Sequence, residues 1–160
     1  MLNNLHLVSK WGCDGSSGRS LYKQVFTAFQ QSDSDLFMTC LVPLQLYALS
    51  ENDGKRIFLW QNPRPSSTRY CRVVKLEFIK ETAEVIRMEK AKMEKQMKEL
   101  LPSEVEIPDL PHVTVHHDLC MTMIDGKTCN ALTNTNSAQK CNTCGATPAN
   151  MNDIDEVEKN

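Results

Sequence analysis

The longest apolar stretch, residues 36–49, carries Leu36, Phe37, Met38, Cys40, Leu41, Val42, Leu44, Leu46 and Tyr47. It predicts a strand buried on both faces, with a bulge or bend at Pro43, which has no N–H to give a ladder. Asn52-Asp53-Gly54-Lys55 follows as a hairpin-type turn, and residues 56–60 predict the returning strand. Ahead of these, residues 5–13 predict a first strand that breaks at Asp14 into the small residues Gly15, Ser16, Ser17 and Gly18. Strands joined in this order form an antiparallel meander. Between the first two, residues 20–26 predict a short helix and residues 30–35 a polar turn.

Further along, residues 62–68 are a loop by composition, and residues 71–79 are apolar without a settled period, either strand or helix start. Residues 81–101 contain no Gly or Pro, are rich in Glu, Lys and Met, and set Ile86, Met93, Met97 and Leu100 on one face. That pattern predicts a helix whose mixed charges form a solvated face, closed by Pro102. Pro108 and Pro111 mark a connection. Residues 113–124 alternate well enough for a strand ending at Asp125, after which Thr128–Leu132 opens a helix. The tail after residue 151 is polar and acidic and predicts disorder. No internal repeat is present.

Composition narrows the class. A chain of 160 residues builds one sizeable core. A net charge of −2 argues against a free-standing basic DNA-binding module, whose affinity rests on neutralising phosphates, but not against a catalytic core. No run of about 18 apolar residues predicts a membrane span, and the N-terminus lacks a secretory pattern. Seven cysteines, scattered except for Cys141 and Cys144, fit reduced thiols and an intracellular setting, cytoplasm or nucleus.

The order meander, helix, strand, with acids closing the first and last strands, predicts an α/β fold of ribonuclease-H-like type. In that arrangement the first and fourth strands are neighbours, which brings Asp14 and Asp125 together. Two close carboxylates repel, and a divalent cation of the Mg²⁺ or Mn²⁺ kind relieves the repulsion. Paired metals about 3.5–4 Å apart can stabilise the attacking and leaving oxygens of a phosphodiester. Each acid also has a plainer reading as an Asp that caps the segment after it. Asp118 competes with Asp125 but lies mid-strand and faces the other way.

Cys141-x-x-Cys144 followed by Gly145 is half of a zinc knuckle, because the turn lets two thiolates converge. Closing a tetrahedral site leaves Cys129, His116, His117 and Cys120 as nearby options, and a redox pair is the other reading. His116 and His117 point to opposite strand faces. Lys23, Arg64, Arg69 and Arg72 are either phosphate contacts or solvated surface. Trp11 and Trp60 are either core residues or base-stacking platforms.

Several segments together resemble one family. Trp11-Gly12-Cys13-Asp14-Gly15-Ser16-Ser17-Gly18 with Tyr22-Lys23-Gln24 resembles the first-acid region of V(D)J recombination-activating protein 1-like sequences and their transposase relatives. Residues 37–46 and Leu59-Trp60-Gln61-Asn62-Pro63 with Pro65-Ser66-Ser67-Thr68-Arg69 resemble the segments that follow it. Met121-Thr122-Met123-Ile124-Asp125-Gly126-Lys127 resembles the second-acid strand, and Cys141-Asn142-Thr143-Cys144-Gly145-Ala146 the zinc-binding pair beyond it. The resemblance covers about residues 10–151.

It implies a DDE-type recombinase or transposase core. Such a core hydrolyses one DNA strand with divalent metal and uses the freed 3′ hydroxyl in strand transfer. Asp14 and Asp125 would be metal-binding acids, and Cys141 and Cys144 half of a zinc site. The family's third acid, a Glu, and its two His zinc ligands lie beyond a helical insertion that this chain does not reach, so only the front half of a core is expected. The expected organisation is a partial catalytic domain at 1–133, a Cys-x-x-Cys segment at 134–151 and an acidic tail at 152–160. DNA is the implied partner, a second subunit or self-association would complete the core, and a nuclear setting follows. Little or no activity is expected of the chain alone. A non-enzymatic zinc-containing interaction protein and a decayed mobile-element fragment stay open.

Overall fold

Extended segments dominate the chain because its apolar residues come in short runs separated by turns. The structure, a computed structural model, describes residues 4–17, 35–108, 112–137, 139–153 and 155. It contains strands β1 (Asn4–Ser17), β2 (Asp35–Leu49), β3 (Arg56–Gln61), β4 (Arg72–Glu77), β5 (Ser103–Val105) and β6 (Val113–Met121), and helices α1 (Ala83–Lys98) and α2 (Gly126–Thr133). The six strands form one mixed sheet in the order β3-β2-β1-β6-β5, with β4 also paired to β2. The fold is therefore α/β. The expected short helix at 20–26, the turn at 30–34 and Lys23 lie outside the described residues, as does most of the tail at 152–160.

The neighbour relation expected of the first strand holds. β1 and β6 run parallel, from Asn4 opposite Thr114 to Trp11 opposite Met121. A parallel pair needs a long crossover, and α1 lies within the intervening chain. β2 and β3 form the expected antiparallel hairpin, closed by Ser50 N–H to the Lys55 carbonyl at 2.9 Å and by Gly54 at a φ of 66°.

Other details differ from the expectation. β1 does not break at Asp14 but stays extended to Ser17. A register shift in the β2–β3 pair falls between Leu46 and Tyr47. Beside Pro43, Asn62 Nδ2 donates to the Pro43 carbonyl at 2.7 Å, and the Asn62 N–H donates to the Leu44 carbonyl at 2.8 Å. β6 ends at Met121 because the Trp11 carbonyl accepts from both Thr122 and Met123, each at 3.1 Å. β5 is an addition, pairing Ser103, Glu104 and Val105 antiparallel to β6.

The chain divides into two compact units. The first comprises Met1–Gly12, Met38–Leu76 and Met93–Met123, and its core includes Trp11, Cys40, Val42, Tyr47, Ala48, Met93 and Val113. The second comprises Cys13–Phe37, Glu77–Lys92 and Ile124–Asn160, with Cys13, Phe37, Ile86, Thr128, Ala131 and Ala146 buried. Among the described residues, no helix is long and apolar enough to cross a membrane.

Candidate functional site

Asp14 and Asp125 both belong to the second unit. Asp14 is exposed on β1, directly after the buried Cys13. The small residues around it permit close packing. A β-carbon at Gly12 would collide with the Met123 carbonyl, and one at Gly15 with the Glu81 side chain. Gly12 is therefore explained by backbone approach and Gly15 by the packing of the Glu81 side chain.

Asp125 is not the end of a strand but the N-cap of α2. Its backbone is extended, with φ −89° and ψ 177°, and its Oδ1 accepts from the Thr128 N–H at 2.7 Å. Side-chain oxygens at this position satisfy an amide that the helix leaves without a partner. The Thr128 amide, aided by the charge of Lys127, holds the Asp125 carboxyl below its ordinary range. The plainer capping reading is thus realised at Asp125, and its exposed carboxylate remains ionised at neutral pH.

Two further acids join this unit. Glu89 on α1 is 4% exposed. Glu81 keeps only 7% of its side chain exposed and takes Lys127 Nζ on Oε2 at 2.5 Å, while its buried Oε1 accepts no hydrogen bond among the described residues. Gly15, Ser16, Ser17, Lys80, Glu81 and Lys127 line a cavity of about 80 Å³. Burial and the charges of Glu89, Glu81, Asp14 and Asp125, in that order, push the Cys13 thiol up to about 11. Cys13 thus lies in the field of all four carboxylates.

The acids share a field without forming a ready-made triad. Among the described residues, no group of three or more His, Cys, Asp or Glu is placed to hold a metal. Two carboxylates still fit Mg²⁺, which keeps several waters and commonly binds through one or two carboxylates plus substrate phosphates. The oxygen donors of Asp14 and Asp125 have the right hardness for it.

Cys141 and Cys144 sit in a tight turn of the same unit. The Gly145 N–H donates to the Cys141 carbonyl at 2.9 Å, and the Cys141 N–H to Ala146 at 2.8 Å. Gly145 adopts a φ of 72°, which a residue with a β-carbon resists. The backbone N–H groups of Cys144 and Thr143 stabilise the Cys141 thiolate and lower its pKa to about 7. A closed zinc site needs four ligands, and the described residues supply no third, so the chain's described part does not fit a complete structural zinc centre.

The remaining candidates fall in the first unit. Asp118 lies near His6 Nδ1 at 3.3 Å and accepts from the Tyr47 hydroxyl at 3.4 Å. His6 stacks on Tyr47 and on His116, with centroids 5.0 and 5.2 Å apart, whereas His117 Nε2 meets Ser103 Oγ at 2.8 Å. The two histidines have separate partners, as their alternation predicts. Arg64, Arg69 and Arg72 are exposed, Trp11 is core and Trp60 is half-exposed.

The pattern reading of α1 as a solvated charged face fails at Glu89. The signal was present, since Glu89 shares the three- and four-residue spacing of Ile86 and Met93. Glu81 precedes the helix, where no periodicity marks it. No protein-family model matches the chain, and no curated protein matches it.

Proposed function

We propose that this chain is the acid-bearing part of a DDE-type DNA strand-processing domain with ribonuclease-H-like strand order. Asp14 and Asp125 hold a divalent cation of the Mg²⁺ or Mn²⁺ class, and DNA is the partner, which puts the protein's working place in the nucleus. One observation carries the reading: β1, which bears Asp14, runs parallel to β6, whose chain continues to Asp125. The placement of both acids in one compact unit and the order of motifs support it. A cation there would neutralise the phosphodiester and activate the attacking hydroxyl. The chain's own residues would position that ion and the phosphate beside it.

With two acids and no third metal-ligating group among the described residues, the isolated chain is expected not to cleave. Supercoiled plasmid incubated with the protein and Mg²⁺ should stay intact. Nicking abolished by Asp14→Ala would overturn the expected inactivity and keep the acid assignment. Nicking indifferent to both Asp14→Ala and Asp125→Ala would overturn the assignment itself. The second reading, a non-enzymatic zinc-containing interaction protein, is favoured by the lowered Cys141 thiol alone. One stoichiometric Zn²⁺ lost on Cys141→Ser, without DNA cleavage, would support it.

A further inference from the structure

Residues 55–76 hold six of the chain's 18 Lys and Arg and none of its 20 Asp and Glu. A chain of net charge −2 thus carries one strongly basic segment. It spans β3, the following loop and most of β4, all within the first unit. Arg56, Arg64, Arg69 and Arg72 are exposed. Lys55 is partly neutralised by Asp53 at 2.9 Å.

The loop is a built element. Asn62, buried, grips β2 through Pro43 and Leu44 and accepts the Arg64 N–H on Oδ1 at 2.9 Å. The Ser67 N–H donates to the Arg64 carbonyl at 2.9 Å, and Ser67 caps a short 3-10 turn over Thr68–Tyr70. Arg72 Nη1 donates to the Arg69 carbonyl at 2.9 Å. These bonds fix the backbone from which the arginines project. Beside them, the Trp60 ring is 36% exposed and lies tilted against Tyr70 at 6.5 Å. Phe58, exposed, meets Tyr47 edge-on at 6.3 Å.

We propose that this face of the first unit docks single-stranded DNA, with Arg64, Arg69 and Arg72 on backbone phosphates and Trp60 against a base. Charge complementarity selects a polyanion. Exposed aromatic rings among cations select unpaired bases, whose faces are open for stacking. The choice of DNA over RNA rests on the function proposed above.

Binding of a fluorescent dT12 oligonucleotide, measured in EDTA across a salt series, tests this separately from any metal chemistry. The wild type is expected to bind with a salt-dependent constant and to show quenched tryptophan emission, reported by Trp60 because Trp11 is 1% exposed. The Arg64→Gln/Arg69→Gln/Arg72→Gln variant should bind at least tenfold more weakly. Its log–log salt slope should be shallower by about 2, at roughly 0.7 per phosphate contact on a single strand. The corresponding triple Lys variant keeps the slope, and Trp60→Leu loses the quench. Wild-type affinity in the triple Gln variant overturns the proposal. So does tighter binding to duplex or to rU12, or self-association of the chain with no dT12 binding. Intact dT12 binding with no Mn²⁺ bound at Asp14 would overturn the catalytic reading alone.

Discussion

At Asp125 the observed cap and the proposed cation-binding role fall on one carboxylate, and substitution separates them. Asp125→Ala removes the cap on the Thr128 amide and should cost about 1 kcal/mol in urea unfolding, whereas Asp125→Asn keeps the cap and should cost only tenths. Loss of cation binding in the Asn variant would then report charge rather than capping. The folded carboxyl titrates below its unfolded counterpart. The stability it adds is therefore present above the unfolded pKa, about 3.9, and is lost as pH falls through the folded one. Cys13 behaves in the opposite sense. Its folded thiol titrates near 11 against an ordinary 9, so between these values the unfolded chain has released a proton that the folded chain still holds. Stability is complete below pH 9 and falls as pH rises toward 11. Cys13→Ala should flatten that alkaline decline, measured as urea midpoints from pH 8 to 11.

Among the elements, the hairpin and its loop show how far local chemistry reaches. Asn62→Ala deletes the bonds to the part-buried Pro43 carbonyl and to the Arg64 amide. The expected loss is about 1–2 kcal/mol in urea unfolding, and a change under about 0.3 kcal/mol would contradict the anchoring role. β2, β3, α1 and β6 were legible because each carries a long period or a strong turn signal. β5 was not, because Ser103, Glu104 and Val105 are three exposed residues whose pairing depends on β6. The bond from Asn62 to the Pro43 carbonyl was not legible, because nothing in the spacing of the two residues announces it. Asp125 was read at a strand end, yet the twin bonds onto Trp11 stop β6 early and hand the acid to α2.

Over the whole chain, chemistry divides between the two compact units. Acids and the thiolate turn belong to the second, and the basic aromatic segment belongs to the first. The exposed place of Asp14 after a buried strand segment agrees with its motif, and the presence of Asp125 in the same unit agrees with the topology expected. Glu89 carried a core-facing spacing that its charge masked, whereas Glu81 was not legible because it precedes α1, where no periodicity marks it. The account's central claim is that Asp14 and Asp125 jointly hold a divalent cation. Its most direct test is an electron paramagnetic resonance titration with Mn²⁺. The prediction is one bound Mn²⁺ in the wild type, lost in both Asp14→Asn and Asp125→Asn and kept in Asp118→Asn. A wild type that binds no Mn²⁺ at millimolar concentration, or variants that bind it as tightly as the wild type, would contradict the claim.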